Sequence, residues 1–473
     1  MANHGVFVNE VPTSLSAPVA ASSGIPYFVG CAPIQGAAHA AAANTPVLVT
    51  SWDEYCDKLG YSEDWADYSL CECAYSHFVL FNMQPAVFLN VFDPSTMKSA
   101  VTAADKDVSN HKVNLGQKGL ETTGLVVKDK ASTPNTLVKD TDYEVYFEDG
   151  EMIIELISTS THYADTVLNI AYDQAVFSSI TATTISNAIE KIELCMSGLG
   201  VIPDMIVAPG WSSNSSVAAV MASKAAAING LFRAKALVDV PCGSGDATTY
   251  SAVIAKKNAL AQTDPNEIVC WPMVALDGKK FHMSVQVAGV LAQLDNENGA
   301  PHYSPSNHGI KADSLIIADG TEVILTKAQA DILNAGGVVT GLNFMGGLVV
   351  WGNYTGCYPT NTDVKDMMIS VSRVFDWVAN TLIKTFWAYL DVPMTRRLID
   401  TILDTCNIWL NGLTGSGILL GGRCEMIESE NPLTNLMQGI IKLHVYLTPP
   451  SPAQEIDFTL EYDSSYVTTA LQA

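Results

Sequence analysis

Two glycine-rich strings, Gly336-Gly337-Val338-Val339-Thr340-Gly341 and Gly412-Leu413-Thr414-Gly415-Ser416-Gly417, have the composition of loops that cradle a phosphate. Neither carries the Lys-Ser/Thr of a phosphate loop, and neither has the strand-to-helix setting of a dinucleotide fold. Both read as turns or close backbone approaches. Cys71 and Cys73 with His77 offer soft metal ligands, but no second pair lies at zinc spacing. On an expected helix they read as small buried groups. His302 and His308 flank the polar loop Tyr303-Ser304-Pro305-Ser306-Asn307 and read as solvated. There is no Gly-x-Ser-x-Gly and no His-Glu-x-x-His, and among the many carboxylates no acid–base pair can be located. No catalytic residue, metal or cofactor is expected. The pair Arg396-Arg397 is different in kind, because it puts two cations beside a helix N-terminus, where the macrodipole disfavours them. It reads as a solvated pair balanced by Asp391 and Asp400, or as a docking contact with an acidic partner.

The chain that must position these groups has 473 residues, enough for two to four domains, with 48% hydrophobic and only 16% charged residues. Globular proteins carry about 25% charge, so little is left to cover the surface of a monomer. Intrinsic disorder is excluded, since it needs low hydrophobicity with high charge. The net charge of 25 − 49 = −24 argues against a nucleic-acid partner, which requires basic patches. Membrane insertion is not expected either. The longest charge-free stretch, Val11 to Trp52, is interrupted by Pro12, Pro18, Pro26, Pro33 and Pro46. The N-terminus lacks the basic and apolar regions of a signal peptide, so a cytosolic chain is expected, its ten scattered cysteines present as thiols.

Residues 5–11 alternate as a short strand closed by Pro12, with no partner strand nearby. Apolar runs at 25–30, 46–50 and 86–91, with a Ser51-capped helix start and a helix over 69–84 between them, open an α/β pattern. Between about 97 and 178 polarity rises and the apolar residues alternate, with an Asp149-Gly150 turn between two strands at 142–156. This stretch reads as an all-β module inserted into the α/β chain. The α/β pattern then resumes, with strands expected at 205–208, 236–240 and 266–273. Apolar residues at 367, 371, 374, 378, 382, 386 and 390 predict one helix of about seven turns over 364–390. Thr395 caps a second helix, ended by Gly412. Strands follow at 418–420, 423–427 and 440–447, then the spacer Pro449-Pro450-Ser451-Pro452. A last lone strand lies over 456–462, where Ile456, Phe458 and Leu460 alternate with Asp457, Thr459 and Glu461.

The order and spacing of several segments resembles the tail sheath proteins of contractile-tailed phages and phage-like injection particles. These segments are Gly5-Val6-Phe7-Val8-Asn9-Glu10, Gly24 to Gly30, Thr45 to Val49, Leu348-Val349-Val350-Trp351-Gly352-Asn353, the helix with Arg373 and Trp377, Asp391-Val392-Pro393-Met394-Thr395 before Leu398-Ile399, and the block Gly439 to Tyr466. The resemblance covers roughly residues 5–95 and 190–473. It implies an α/β (α+β) multidomain sheath fold: an N-terminal arm (1–20), a discontinuous α/β domain (21–96 and 179–350), an inserted β-rich outer domain (97–178), a C-terminal core domain facing the tube (351–448) and a C-terminal arm (449–473). It further implies a structural subunit that polymerises with itself into a helical tube of six-fold rings around an inner tail tube. Baseplate and tail terminator proteins are then further partners, the host bacterial cytoplasm the place of assembly, and the virion tail the final location. Contraction to a lower-energy lattice drives the tube through a target envelope with no nucleotide consumed. In such a sheath the arms pair with neighbouring subunits, which here maps onto Val6, Phe7, Val8 and onto Ile456, Phe458, Leu460, with Arg396 and Arg397 as a candidate tube contact. The rival readings are a carboxylate-based α/β hydrolase forming small oligomers, or another virion structural protein.

Overall fold

A computed structural model of the chain describes residues 19–471. Val6, Phe7 and Val8 of the expected N-terminal arm lie outside the described residues. The chain begins with β1 (Pro26–Gly30), β2 (Val47–Val49), α1 (Trp52–Leu59), α2 (Ser69–Ala74) and β3 (Ala86–Asn90). Ser51 caps α1 as its sequence suggests, accepting the Glu54 amide at 3.1 Å while the Glu54 carboxylate accepts the Thr50 amide at 2.7 Å. Past Ala74, α2 widens into a π turn over Tyr75–Leu80.

Residues 98–175 then form seven strands: β4 (Lys98–Asp107), β5 (Lys112–Asn114), β6 (Gly119–Leu120), β7 (Val126–Asp129), β8 (Tyr143–Glu148), β9 (Glu151–Leu156) and β10 (Val167–Ala175). They make two antiparallel sheets, β4-β10-β6 with β7 also on β10, and β5-β9-β8. β4 and β10 pair from Lys98 opposite Ala175 to Asp107 opposite Val167, so the chain enters and leaves along one ribbon. Leu115, Val127, Tyr143, Met152, Ile154, Leu168 and Ile170 bury against one another in a cluster of their own. The β8–β9 turn is Asp149-Gly150, both with positive φ (52° and 82°), as a type I′ hairpin requires. A Cβ on Gly150 would also lie 2.7 Å from the Tyr61 carbonyl, so this tip packs closely on the loop after α1.

The α/β pattern resumes with α3 (Ala182–Glu190), β11 (Met205–Val207), α4 (Ser215–Ala226), β12 (Lys235–Asp239), α5 (Tyr250–Ala259) and β13 (Glu267–Cys270). The central sheet has the order β13-β12-β11-β1-β3-β2, parallel except for β2. Every residue of its five parallel strands is buried, which is why these strands read as continuous apolar runs rather than alternating ones. The run 266–273, expected as one strand, is divided. It leaves the central sheet after Cys270, and β14 (Met273–Leu276) starts a second sheet with β15 (Lys279–Phe281). Between them Trp271 is fully buried and its indole donates to the Ala247 carbonyl at 2.9 Å. α6 (Met283–Asn298) follows, and β16 (Ser314–Ile316) and β17 (Glu322–Val323) complete the sheet β15-β14-β16-β17. α6 is apolar over most of its circumference because it is buried nearly all round. A Cβ on Gly289 would sit 2.2 Å from the Phe81 ring, so only glycine lets that ring lie on the helix.

After α7 (Lys327–Ala335) and the hairpin β18 (Thr340–Asn343)–β19 (Leu348–Trp351), the expected long helix appears in pieces: α8 (Val364–Met367), α9 (Ile369–Phe386) and a 3₁₀ turn at Trp387–Tyr389. The break is at Met368, whose backbone is extended (φ −88°, ψ 121°). Tertiary hydrogen bonds compete with the helix there: the Thr355 amide donates to the Met367 carbonyl and the Thr355 hydroxyl to the Asp366 carbonyl, both at 2.8 Å. α10 (Arg396–Gly415) runs through Gly412, and the left-handed residue that closes the turn is Gly417 (φ +82°). The strands expected at 418–427 and 440–447 contract to β20 (Gly421–Glu425) and β21 (His444–Thr448), with α11 (Leu433–Met437) between them. α12 (Ser465–Leu471) ends the described chain.

α2 and the start of α6 are joined by an ion pair. The Glu72 carboxylate, 3% exposed, accepts from His282 Nδ1 at 2.9 Å and from the His282 amide. Burial works against the charged imidazole, but the attraction of Glu72 outweighs it and raises His282 from 6.5 to about 9. A folded-state pKa above the unfolded one contributes stability that is complete below the unfolded value and is lost as pH rises through the folded one. The melting temperature is therefore expected to fall between about pH 6.5 and 9, and Glu72→Gln is expected to flatten that part of the profile in thermal unfolding scans. An unchanged slope in the variant would assign the loss to other groups.

Candidate functional site

The C-terminal third is fastened to the α/β sheet by one buried guanidinium. Arg373, near the start of α9, donates to both oxygens of Asp295 at 2.9 and 2.6 Å and to Asp204 at 2.7 Å. Asp204 also accepts the amides of Gly24 (3.1 Å) and Ile25 (2.7 Å), which ties the strand leading into β1 to the same point. Burial opposes the charge on Arg373, but the two carboxylates outweigh it and hold its pKa above the ordinary value. One turn on, Lys235 Nζ lies 2.9 Å from Asp376 and donates to Ser372 Oγ at 2.7 Å. Further along α9, Trp377 donates its indole N–H to the Ala21 carbonyl at 2.8 Å, and Thr381 and Thr385 accept the amides of Ala21 and Val19. A continuous polar ladder thus lays residues 19–25 along α9.

Beyond this ladder the surface changes. Val374, Trp377 and Val378 of α9 bury with Cys406, Leu410 and Leu413 of α10 and Cys424 of β20. The connection between the helices instead exposes Trp387 (57%), Leu390 (58%), Val392 and Met394. Arg396 and Arg397 follow directly. Thr395 caps α10, its hydroxyl accepting the Leu398 amide at 3.2 Å. Arg396 pairs with Asp400 at 2.9 Å, but at 84% side-chain exposure this i,i+4 bridge is worth only a few tenths of a kcal/mol. Arg397 has no side-chain partner among the described residues. The two cations therefore sit beside exposed apolar side chains, a juxtaposition the sequence reading missed because it ran the apolar face of one helix as far as residue 390. Asp391-Val392-Pro393 marks the end of that helix in the sequence, but whether the apolar residues before it are covered depends on packing that the sequence does not show.

β20 and β21 form a sheet of two strands, paired from Gly421 opposite Thr448 to Glu425 opposite His444. No further strand covers either edge among the described residues, and an open edge is a template for strand addition. After β21 the chain passes through Pro449, Pro450 and Pro452. It is held once more at Gln454, whose side chain accepts from the Tyr354 hydroxyl at 2.8 Å. Residues 455–462 make no strand pairing among the described residues. Ile456, Phe458 and Leu460 are 70%, 84% and 95% exposed. So Arg396 and Arg397 are both exposed at the start of α10, and the three arm residues lie on an exposed segment that forms no strand, unlike the strand expected over 456–462, because no partner edge reaches it among the described residues.

The other candidates have local roles. Cys71, Cys73 and His77 are buried in α2 and its π turn, and burial lowers His77 to about 4, keeping it neutral. No group of three or more His, Cys, Asp or Glu is arranged for a metal among the described residues. His302 and His308 each approach, through Nδ1, the carbonyl two residues earlier. Gly337 has φ +69° and packs against the Tyr358 carbonyl, while Gly412 and Gly415 lie within α10. No helix of the described residues is long and apolar enough to cross a membrane.

Comparison with known proteins gives these surfaces a context. No family model matches the chain. The tail sheath protein of Burkholderia phage BcepMu is 25% identical over 98% of both chains. Among solved structures, a chain of the anti-feeding prophage baseplate, 6-fold symmetrised, superposes with a TM-score of 0.59, covering 98% of this chain and 99% of the other at 17% identity. A chain of the PVC sheath complex, an extracellular contractile injection system in its contracted state, gives 0.58, covering 98% and 99% at 15% identity. The fold is that of contractile tail sheath proteins. The resemblance read from the residues is thus met both in sequence, across the whole chain, and in three dimensions. Within this sheath fold the α/β sheet, the 98–175 strands and the α9–α10 block form one chain-length match rather than a shared fragment.

Arg373→Met is expected to lower unfolding free energy by about 3–5 kcal/mol, because it leaves Asp295 and Asp204 buried without their cation. Denaturant titration checks this. A loss below about 1 kcal/mol would mean that the ladder along α9 is held by its other bonds.

Proposed function

We infer that the chain is the subunit of a contractile tail sheath. It polymerises as a helical tube around an inner tail tube and contracts to drive that tube through a target envelope. The observation that carries this reading is the match over essentially the whole of both chains to a phage tail sheath protein, with the same fold in a contracted sheath assembly. The α/β hydrolase reading has no comparable support.

The arm chemistry supports strand exchange. An extended segment with alternating apolar side chains and unpaired backbone groups gains about 1 kcal/mol for each hydrogen bond made on a neighbour's sheet edge, plus the burial of Ile456, Phe458 and Leu460. The open edges of the β20–β21 sheet are of the right kind to accept it. Val6, Phe7 and Val8 are proposed to do the same at the other end of the chain. Pro449, Pro450 and Pro452 stiffen the root of the C-terminal arm, and the Gln454–Tyr354 contact fixes where it leaves the body. The more polar 98–175 strands are assigned to the outside of the sheath. The exposed Val392, Met394, Arg396 and Arg397 surface is assigned to the tube, with baseplate and terminator proteins as partners at the two ends. The product is a component of the virion tail or of a particle built like one, assembled in the cytoplasm of the host bacterium.

By electron microscopy, purified subunits or native particles are expected to show hollow six-fold helical tubes. Phe458→Pro, or removal of residues 1–12, is expected to abolish tubes while circular dichroism and melting stay near wild type. A stable monomer across protein concentrations would overturn the sheath reading, and long tubes from Phe458→Pro would overturn strand exchange alone. Reversal of charge at Arg396 and Arg397 is expected to weaken co-sedimentation of sheath with tube and leave sheath self-assembly intact. Undiminished co-sedimentation would remove their electrostatic role.

A further inference from the structure

Charged residues stop at Asp331 and resume only at Asp363, so residues 332–362 contain no Asp, Glu, Lys or Arg. The glycine-rich string 336–341 and the hairpin β18–β19 both lie in this interval. At the hairpin tip residues 343–347 are all exposed, Phe344 at 60% and Met345 at 79%. Gly346 and Gly347 follow with φ +81° and +116°, and a Cβ on either would meet nothing within 4 Å, so the tip stands clear of the rest of the described chain.

The root of the same hairpin borders a cavity of about 350 Å³ between α5, the end of α7 and the loop at 358–360, with Ile254, Ile332, Ala335, Tyr358 and Pro359 on its wall. Its wall is fixed in advance. Lys257 of α5, 1% exposed, donates to the carbonyls of Gly336 and Gly356 at 2.7 Å and of Tyr358 at 3.2 Å, which uses all three ammonium protons. A Cβ on Gly336 would sit 2.5 Å from Ile254, and one on Gly337 2.5 Å from the Tyr358 carbonyl, so these glycines let α5, α7 and the loop close on one another. The hairpin pairs four residues on each strand, from Thr340 opposite Trp351 to Asn343 opposite Leu348. At about 3.4 Å per residue the tip lies roughly 10 Å or more from the root, pointing away from its own cavity.

We propose that Phe344 and Met345 at the tip of one copy dock into the cavity at the hairpin root of a second copy. The chain itself carries both halves of the contact, an apolar knob and a largely apolar hole. Copies of net charge −24 repel one another, and they approach at least cost where the facing surfaces are uncharged, as the tip and the α7–loop wall are. Because knob and hole are different surfaces, the contact is head-to-tail: each added copy leaves one tip and one cavity free, which builds a ring or a helix and not a closed dimer. The proposal rests on the sheath reading and adds to it a contact between subunit bodies, separate from the arms.

The test places the photo-crosslinker p-benzoylphenylalanine at position 344 of the full-length chain, assembles a mixture of nitrogen-15-labelled and unlabelled subunits, irradiates it and maps the peptides by mass spectrometry. The expected crosslinks join a labelled peptide to an unlabelled one, from residue 344 to the segments around 254–263, 332–336 or 358–360. Phe344→Ser combined with Met345→Ser is expected to leave melting near wild type, since both side chains are exposed, and to raise the concentration for half-maximal assembly about tenfold or more. Ala335→Phe, which fills the cavity from its wall, is expected to do the same. Crosslinks elsewhere or none, crosslinks only within one chain, or undiminished assembly in the tip variant would overturn this contact while wild-type tubes leave the sheath reading standing. A wild-type chain that stays monomeric would overturn both.

Discussion

The buried contact of Arg373 with Asp204 and Asp295 is the constraint on which the rest of the structure depends. Removing three charges from water costs several kcal/mol for each ion, so the arrangement persists only because every oxygen is satisfied. Arg373 supplies three of the hydrogen bonds, and the Gly24 and Ile25 amides supply two more. The three charges come from distant parts of the chain: Asp204 just before β11, Asp295 in the last turn of α6, and Arg373 on α9. None can move without exposing the charges of the others. The α/β sheet and the first turns of α9 are therefore tied together, and the apolar side chains beyond Phe386 are exposed.

That arrangement gives the scarcity of charge a physical setting. Of the 16% of residues that are charged, several lie in the interior, among them Glu72, Lys235, Asp239, Lys257, Glu267, Asp295 and Arg373. Fewer remain to solvate the exterior, and the exposed apolar side chains gather towards the end of the chain: Trp387, Leu390, Leu420, Leu433, Met437, Ile456, Phe458 and Leu460. Such a surface is a liability in a lone monomer and an asset in a lattice of identical copies. The net charge of −24 acts in the opposite sense, through mutual repulsion between free subunits. In the proposed sheath, these apolar surfaces are the ones left for neighbouring copies to cover.

Some of this was legible from residue pattern alone, because the responsible interactions are local. Fully buried parallel strands have mostly apolar interiors, so the runs 25–30, 86–91, 205–208 and 236–240 were visible, while the burial of Asn90, Lys235, Asp239 and Glu267 at strand ends was not. The alternation in 97–178 and the Asp149-Gly150 turn marked strands with one wet face. The Ser51 and Thr395 caps were equally plain. What failed was tertiary in origin. The helix over 364–390 breaks at Met368 because Thr355, distant in sequence, takes the carbonyls of Asp366 and Met367. The run 266–273 divides because its two ends belong to different sheets.

The sequence by itself determined most of the buried strands, the Ser51 and Thr395 helix caps, that the 97–178 stretch differs in kind, and, through the order of its motifs, the resemblance to tail sheath proteins. Hydrophobic period, capping residues and proline positions are properties of a few adjacent residues and need no tertiary knowledge. Only the tertiary structure decided that Arg373 is the hub and that Arg396 and Arg397 stand beside uncovered apolar side chains. Each of these depends on groups that the chain separates and the fold brings together, and on burial, which turns an ordinary arginine into a costly one unless it is paired.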